Sequence, residues 1–220
     1  RDPVLDLALA EADCLGSAAH VTMLPRLPLK RKLFTPARKG RVVAELVKVI
    51  RVARRGKLKI TAADQDIHLA VERILTANLG ELGKRIHTGR SRNDQVQVDL
   101  RLHGKMRLLD ILDQALATAG ALVRFSRRNL RVPMVGRTHM QPAMPSSVGL
   151  WASAVAESLL DDVIVLSGAL EVLDRSPLGS AASYGVPLSL DRDLTARLLG
   201  FRAPIRNVLY AGNARGKFES

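Results

Sequence analysis

Apolar residues recur along this chain at intervals of three and four, which is the period of a helix rather than a strand. Val96, Leu100, Leu108, Leu112, Leu116, Val123 and Leu130 form one stripe, and Val148, Trp151, Val155, Leu159, Val163, Leu166 and Leu170 form a second. No proline falls between Asn93 and Leu130. The spacing therefore predicts one continuous helix there, ~57 Å long at 1.5 Å per residue. Pro133 ends it, and a second long helix fits Ser146 to Leu173. A helix of such length needs equally long partners, from the same chain or from other subunits.

Shorter elements precede this pair. Residues 2–24 read as a helix interrupted near Gly16-Ser17, with Leu5, Leu9 and Ala12 on one side, and residues 25–34 read as a loop. Thr35 and Pro36 form a helix start, a capping hydroxyl followed by a proline in the first turn. Val42, Val43, Leu46, Val49 and Ile50 continue that helix until Gly56. The stretch "TAAD" at 61–64 resembles a capping box, and Ile67, Val71, Ile74 and Leu75 mark a helix ending near Gly80. Beyond the long pair lie a loop of small residues, "SPLGSAASYG" at 176–185, a short helix at about 190–199 ending at Gly200, and an ambiguous remainder to Ser220. Strands and helices do not alternate, so a doubly wound fold is not expected. The fold class expected is all-α: a small helical N-terminal domain at 1–87, then the long helices of a partial bundle at 88–220.

Composition agrees with packed helices. Hydrophobic residues make up 47% but aromatics only 3%, so Leu, Val and Ala carry the core. The single cysteine, Cys14, excludes an internal disulfide framework and fits a reducing, cytoplasmic compartment. No membrane span and no cationic leader are visible, and the chain begins at Arg1. Residues 1–60 carry 14 Lys/Arg against 5 Asp/Glu, which is most of the net +13. The basic runs are "KRK" at 30–32, "ARKGR" at 37–41 and "RVARRGKLK" at 51–59. With Phe34 as the one aromatic in 25–60, a solvated basic face is preferred to a nucleic-acid site.

Polar residues concentrate where the long helices begin and turn. "HTGRSRNDQV", 87–96, opens the first of them. Ser91 and Asp94 suffice for a cap; His87, Thr88, Arg90, Arg92 and Asn93 are left over. Free N–H groups at a helix start attract an anion, and an arginine fork matches a carboxylate. A carboxylate- or phosphate-binding site is the functional reading. "GRTHMQP", 136–142, places His139 in the turn between the long helices, between Thr138 and Gln141. Such a histidine is either a surface residue or a general acid–base. "DQDIH" at 64–68 gathers Asp64, Asp66 and His68, but their spacing does not put them on one helix face, and no metal is expected. P-loop and serine-hydrolase signatures are absent.

Taken together, "HTGRSRNDQVQVDLRL", "GRTHMQP" and "PLGS", in that order on long helices, resemble the argininosuccinate lyase family of the aspartase/fumarase superfamily. The likeness extends from "LGSAAHVTML" at 15–24 through "DQDIH" to "SLDRDL" at 189–194. Arg137 stands where the family usually has tyrosine, and Met140 where it has leucine. The resemblance implies β-elimination of argininosuccinate to arginine and fumarate, the last step of arginine biosynthesis, without metal or organic cofactor. It implies that Ser17, Arg92, Asn93 and Thr138 bind substrate and that His139 takes part in proton transfer. It also implies a homotetramer whose active sites are shared between subunits. The family's catalytic serine lies in a loop reading roughly G-S-S-x-M-P-x-K-x-N, which has no counterpart here. The expectation is therefore an N-terminal half, inactive alone. The alternatives are a catalytically silent structural relative, as in lens crystallins, or another superfamily lyase such as adenylosuccinate lyase or fumarase.

Overall fold

The computed structural model describes residues 3–30, 32–61 and 63–214. Arg31 of the first basic run, Ala62 of the "TAAD" stretch, Asp2 at the head of the first expected helix and the last six residues of the C-terminal segment lie outside the described residues. The fold is all-α, as the periodicity predicts. Helices α1 (Pro3–Asp6), α2 (Ala10–Met23), α3 (Pro36–Arg54), α4 (Ile67–Leu79) and α5 (Glu81–Lys84) lead to the long α6 (Arg92–Arg128). Strands β1 (Pro133–Thr138) and β2 (Gln141–Ser147) precede α7 (Val148–Leu173). After β3 (Arg175–Ser176) come α8 (Arg192–Leu198), β4 (Ala203–Pro204) and α9 (Val208–Asn213). No described helix is long and apolar enough to cross a membrane.

The chain divides into two compact units, residues 1–104 with 172–220, and residues 105–171. In the first, α2 lies between two apolar clusters. Cys14, Val21 and Leu24 pack with Phe34, Val42, Leu46, Leu75 and Ile86. Ala12 packs with Val98, Leu102, Leu178, Ala196 and Phe201. The helix runs through Gly16-Ser17 without the expected break; the irregular turn is earlier, at Leu7–Leu9. Gly16 is there for proximity rather than for bending: a Cβ on it would sit 3.1 Å from both Gln95 Nε2 and Val98 Cγ1 of α6.

Several helix ends follow the sequence signals. The Thr35 hydroxyl accepts from Arg38 N, and Gly56, Gly80 and Gly200 take the positive φ that stops a helix. The capping residue of α4 differs from expectation. Thr61 and Asp64 bond to each other in a turn, and Asp66 caps instead, accepting from Leu69 N at 2.9 Å. Asp64 is spoken for by Arg73, whose guanidinium donates to both of its oxygens.

In the second unit, α6 and α7 are joined by an antiparallel hairpin, β1 with β2, where the sequence suggests only a turn. His139 and Met140 form its two-residue loop, both at positive φ, 49° and 63°. That is the backbone a tight hairpin needs, and histidine adopts it more readily than methionine. Ala119 of α6 and Ala152 and Ala156 of α7 are buried, and the Ser126 hydroxyl of α6 donates to Gly149 O of α7 at 2.7 Å. Leu150, Trp151, Ile164 and Val165 of α7 remain exposed.

Filling the space at Gly16 tests the close approach of α2 to α6. Gly16→Val is expected to cost about 1–3 kcal/mol, the usual penalty of overpacking, and to lower the thermal midpoint by several degrees in a calorimetric scan. An unchanged midpoint would show that the two helices can separate without cost.

Candidate functional site

A stripe of polar residues runs down the buried side of α2. Asp13, Ser17 and His20 are spaced by four and three, so they share one face, and none is more than 1% exposed. They meet the start of α6. Arg90, buried, donates from Nη1 to Ser17 Oγ at 3.0 Å. Gln95 donates from Nε2 to Asp13 Oδ2 at 3.1 Å and to Asp99 Oδ1 at 2.9 Å. His20 Nε2 donates to Thr88 O at 2.9 Å, so the proton of the neutral ring sits on Nε2. His68 of α4 donates from Nδ1 to Asp13 Oδ2 at 2.8 Å.

Asp94 holds the centre. Its Oδ1 accepts from Ser91 N at 2.9 Å, the backward bond of a capping box. Its Oδ2 accepts from Gly179 N at 2.9 Å and Ala181 N at 3.0 Å. The "PLGS" loop is thereby fastened to the first turn of α6. Gly179 has φ 87°, and a Cβ there would meet the Arg192 side chain at 2.9 Å. Arg192 in turn donates to Leu178 O and Ile205 O, fixing the loop from the other side.

Burial shapes the charges. It pushes the Asp94 carboxyl up, against the three N–H groups that favour its ionised form. It pushes Asp99 up as well, aided by the neighbouring Asp13 carboxylate. Burial lowers Arg90, whose charge is supported by Asp13, Asp94, Asp99 and Glu72. His20 is pulled down to about 3 by burial and by Arg90. His87 is also lowered, first by burial and then by Arg90.

The residues expected from the sequence are distributed as follows. Ser17 is buried within this network. Arg92 is half-buried and donates from Nε to Asp66 Oδ2 at 2.6 Å and from Nη1 to Gln65 Oε1 at 2.8 Å. Asn93 is exposed in the first turn of α6, its backbone N–H donating to Ser91 Oγ at 3.2 Å. Thr138 and His139 belong to the second unit, where both are exposed at the hairpin tip. The structure thus brings Ser17, Arg92 and Asn93 to one region around the start of α6. Sequence reasoning missed the interior of that region: Arg90 as its enclosed cation, and Asp13, His20, His68, Gln95 and Asp99 as its surroundings. The spacing of Asp13, Ser17 and His20 was the available signal.

Arg92, its guanidinium paired with Asp66 and Gln65, and the exposed Asn93 stand together in the first turn of α6, beside this buried framework.

Comparison with known proteins gives relatives over nearly the whole chain. A family model described as lyase matches residues 28–217. The argininosuccinate lyase of Phocaeicola vulgatus is 45% identical over 219 residues, covering all of this chain and 48% of that enzyme. That of Thermotoga neapolitana is 38% identical, covering 99% of this chain and 54% of that enzyme. Among solved structures, an EDDS lyase in complex with formate superposes with a TM-score of 0.84 at 25% identity, over 97% of this chain and 41% of that one. A class II fumarase from Schistosoma mansoni, at 18% identity and a TM-score of 0.68 over 94% of this chain and 50% of that one, shares the fold. The chain spans about half the length of the curated relatives it matches.

The depressed His20 makes a pH prediction. Its folded value is about 3 against 6.5 for the free side chain, so the unfolded chain binds the extra proton first. Its contribution to stability is present above about 6.5 and is lost as pH falls toward 3. Denaturant midpoints should therefore fall across that window. His20→Gln, which keeps a donor for Thr88 O, should flatten the fall; an equal slope in both proteins would remove His20 from the account.

Proposed function

Because the chain belongs to the lyase family that its residues 28–217 match, we propose that it forms the portion of an argininosuccinate lyase that grips the substrate's carboxylates. The substrate is argininosuccinate, and the products are arginine and fumarate, as in arginine biosynthesis. One observation carries the reading: Asp94 and Arg90 fasten together three segments of the family resemblance, "GS" at 16–17, "GRSRND" at 89–94 and "PLGS" at 177–180.

The chemistry requires such a place. A base removes the proton from the carbon beside a carboxylate. The electron pair collects on that carboxylate as the C–N bond to the guanidino group breaks. Charge that develops in this way is stabilised by donors already in position, with no reorganisation at the moment of reaction. Arg92, Asn93 and the N–H groups opening α6 are assigned to the substrate carboxylates. Ser17 and Thr138 are assigned to substrate binding. His139 is assigned to proton transfer, and its exposure on a two-residue loop leaves the imidazole free to meet a partner. No metal or organic cofactor enters the reaction so described.

A homotetramer with shared sites belongs to the same proposal. The exposed Leu150, Trp151, Ile164 and Val165 of α7 support it, because a face so apolar is usually covered. The cytoplasm is the compartment proposed.

The test uses a chimera in which this chain replaces the matching half of the Phocaeicola vulgatus enzyme. It should release fumarate from argininosuccinate, followed by absorbance. His139→Ala and Asn93→Ala should each lower turnover by ~100-fold or more, the usual loss of an acid–base or charge-stabilising group. The 220-residue chain by itself should release none. A folded chimera without activity would refute the substrate assignment, and full turnover in either variant would refute that residue's role.

A further inference from the structure

The clustering that sequence spacing could not show is that of His68, Glu72 and His87. His68 and Glu72 are four apart on α4 and so share a face. His87 comes from the turn Arg85–His87, just before the start of α6. One ligand atom from each of the three lies within 4.8 Å of the others. The imidazole rings of His68 and His87 are tilted at 39°, with centroids 5.8 Å apart.

Two further observations point to a ligand. The His68 side chain is 3% exposed, and its Nε2 has no hydrogen-bond partner among the described residues. Its other nitrogen is committed to Asp13, which leaves Nε2 as the atom available to a ligand. His87 Nδ1 is likewise buried and without a partner among the described residues. Two buried imidazole nitrogens left unsatisfied call for an explanation. The Asp13–His68 bond is the carboxylate–histidine arrangement that orients metal-bound imidazoles.

We propose that His68, Glu72 and His87 form a site for a divalent transition-metal ion, Zn²⁺ being the best match. Two histidines and one carboxylate, with a fourth position left to water, make a set that Zn²⁺ accepts. Ligand bonds of about 2.0–2.2 Å place tetrahedral donor atoms roughly 3.3 Å apart. The cluster therefore has to tighten by up to about 1.5 Å from its present span. Glu72, half-exposed on a flexible stem, is able to swing inward. Arg90 opposes a cation here, and the neighbouring Asp13 and Glu72 offset it. None of the three ligands is assigned to the elimination chemistry; an ion there ties α4 to the turn that delivers "GRSRND".

Chelator-stripped chain is titrated with Zn²⁺ by calorimetry, and with Co²⁺, whose visible absorption reports coordination geometry. The expected result is one ion per chain, a tetrahedral Co²⁺ spectrum, and loss of both in His87→Asn and in Glu72→Gln, with folding checked by circular dichroism. Asp13→Asn, where it folds, should weaken binding by ~10–100-fold through the orientation of His68. No binding to the unaltered chain, or wild-type affinity in either ligand variant, overturns the proposal. The readout needs no substrate, so its failure leaves the lyase reading intact, and an inactive chimera leaves the metal site intact.

Discussion

A single carboxylate organises the first unit. Asp94 accepts a backbone N–H from its own helix start and two from a loop 85 residues and more downstream. Each such bond to a charged acceptor is worth about 1.5–3 kcal/mol, against a burial that disfavours the charge. The balance leaves the carboxyl pushed upward, burial outweighing the N–H groups that favour its charge. The two loop bonds explain the glycine at 179, since a loop bringing two consecutive-but-one N–H groups to one oxygen must take φ 87° and pass against Arg192.

Around Asp94 the interior is polar in a way that a stability argument alone does not favour. Buried ion pairs often contribute no more than the apolar residues that could replace them. Yet Asp13, Ser17, His20, Arg90, Gln95 and Asp99 are all enclosed. Several of their polar atoms, including Arg90 Nε and Nη2, Gln95 Oε1 and His20 Nδ1, have no partner among the described residues. An interior of this kind is typical of places where geometry is held for a ligand.

How much of this was legible in the sequence depended on whether the signal was local. Thr35, Gly56, Gly80 and Gly200 act within one turn of themselves, and each helix end they mark is where the spacing puts it. The α6 stripe survives in the same way, because a run from Arg92 to Arg128 without proline has no other regular solution. Thr61 misled because its bond to Asp64 is also local, while Asp66 caps α4 with the help of Asp6, 61 residues away, which accepts from Ile67 N. The hairpin was hidden for the opposite reason: β1 and β2 contain glycine and three prolines, which are poor strand formers, and pairing overrides them. Of the candidate site, the gathering of Arg92 and Asn93 at the start of α6 was readable in "GRSRND", because the two are adjacent. Arg90 reads there as one more residue of that group; only the packing of α2 encloses it.

The placement of α2 ties these points together. Its apolar positions serve two clusters at once, and its remaining face is the polar stripe of Asp13, Ser17 and His20. A helix buried on all sides would ordinarily be apolar all round. Here the third face costs desolvation and returns orientation: Asp13 sets His68 and Gln95, Ser17 sets Arg90, and His20 sets the carbonyl of Thr88. Every one of those partners lies in, or packs against, the segment that begins α6. The close contact at Gly16 brings the stripe near enough to act, because a side chain there would lift α2 from Gln95 and Val98. Small residues at the contact and polar residues beside it are thus one device, and the positions of Arg92 and Asn93 at the start of α6 depend on both.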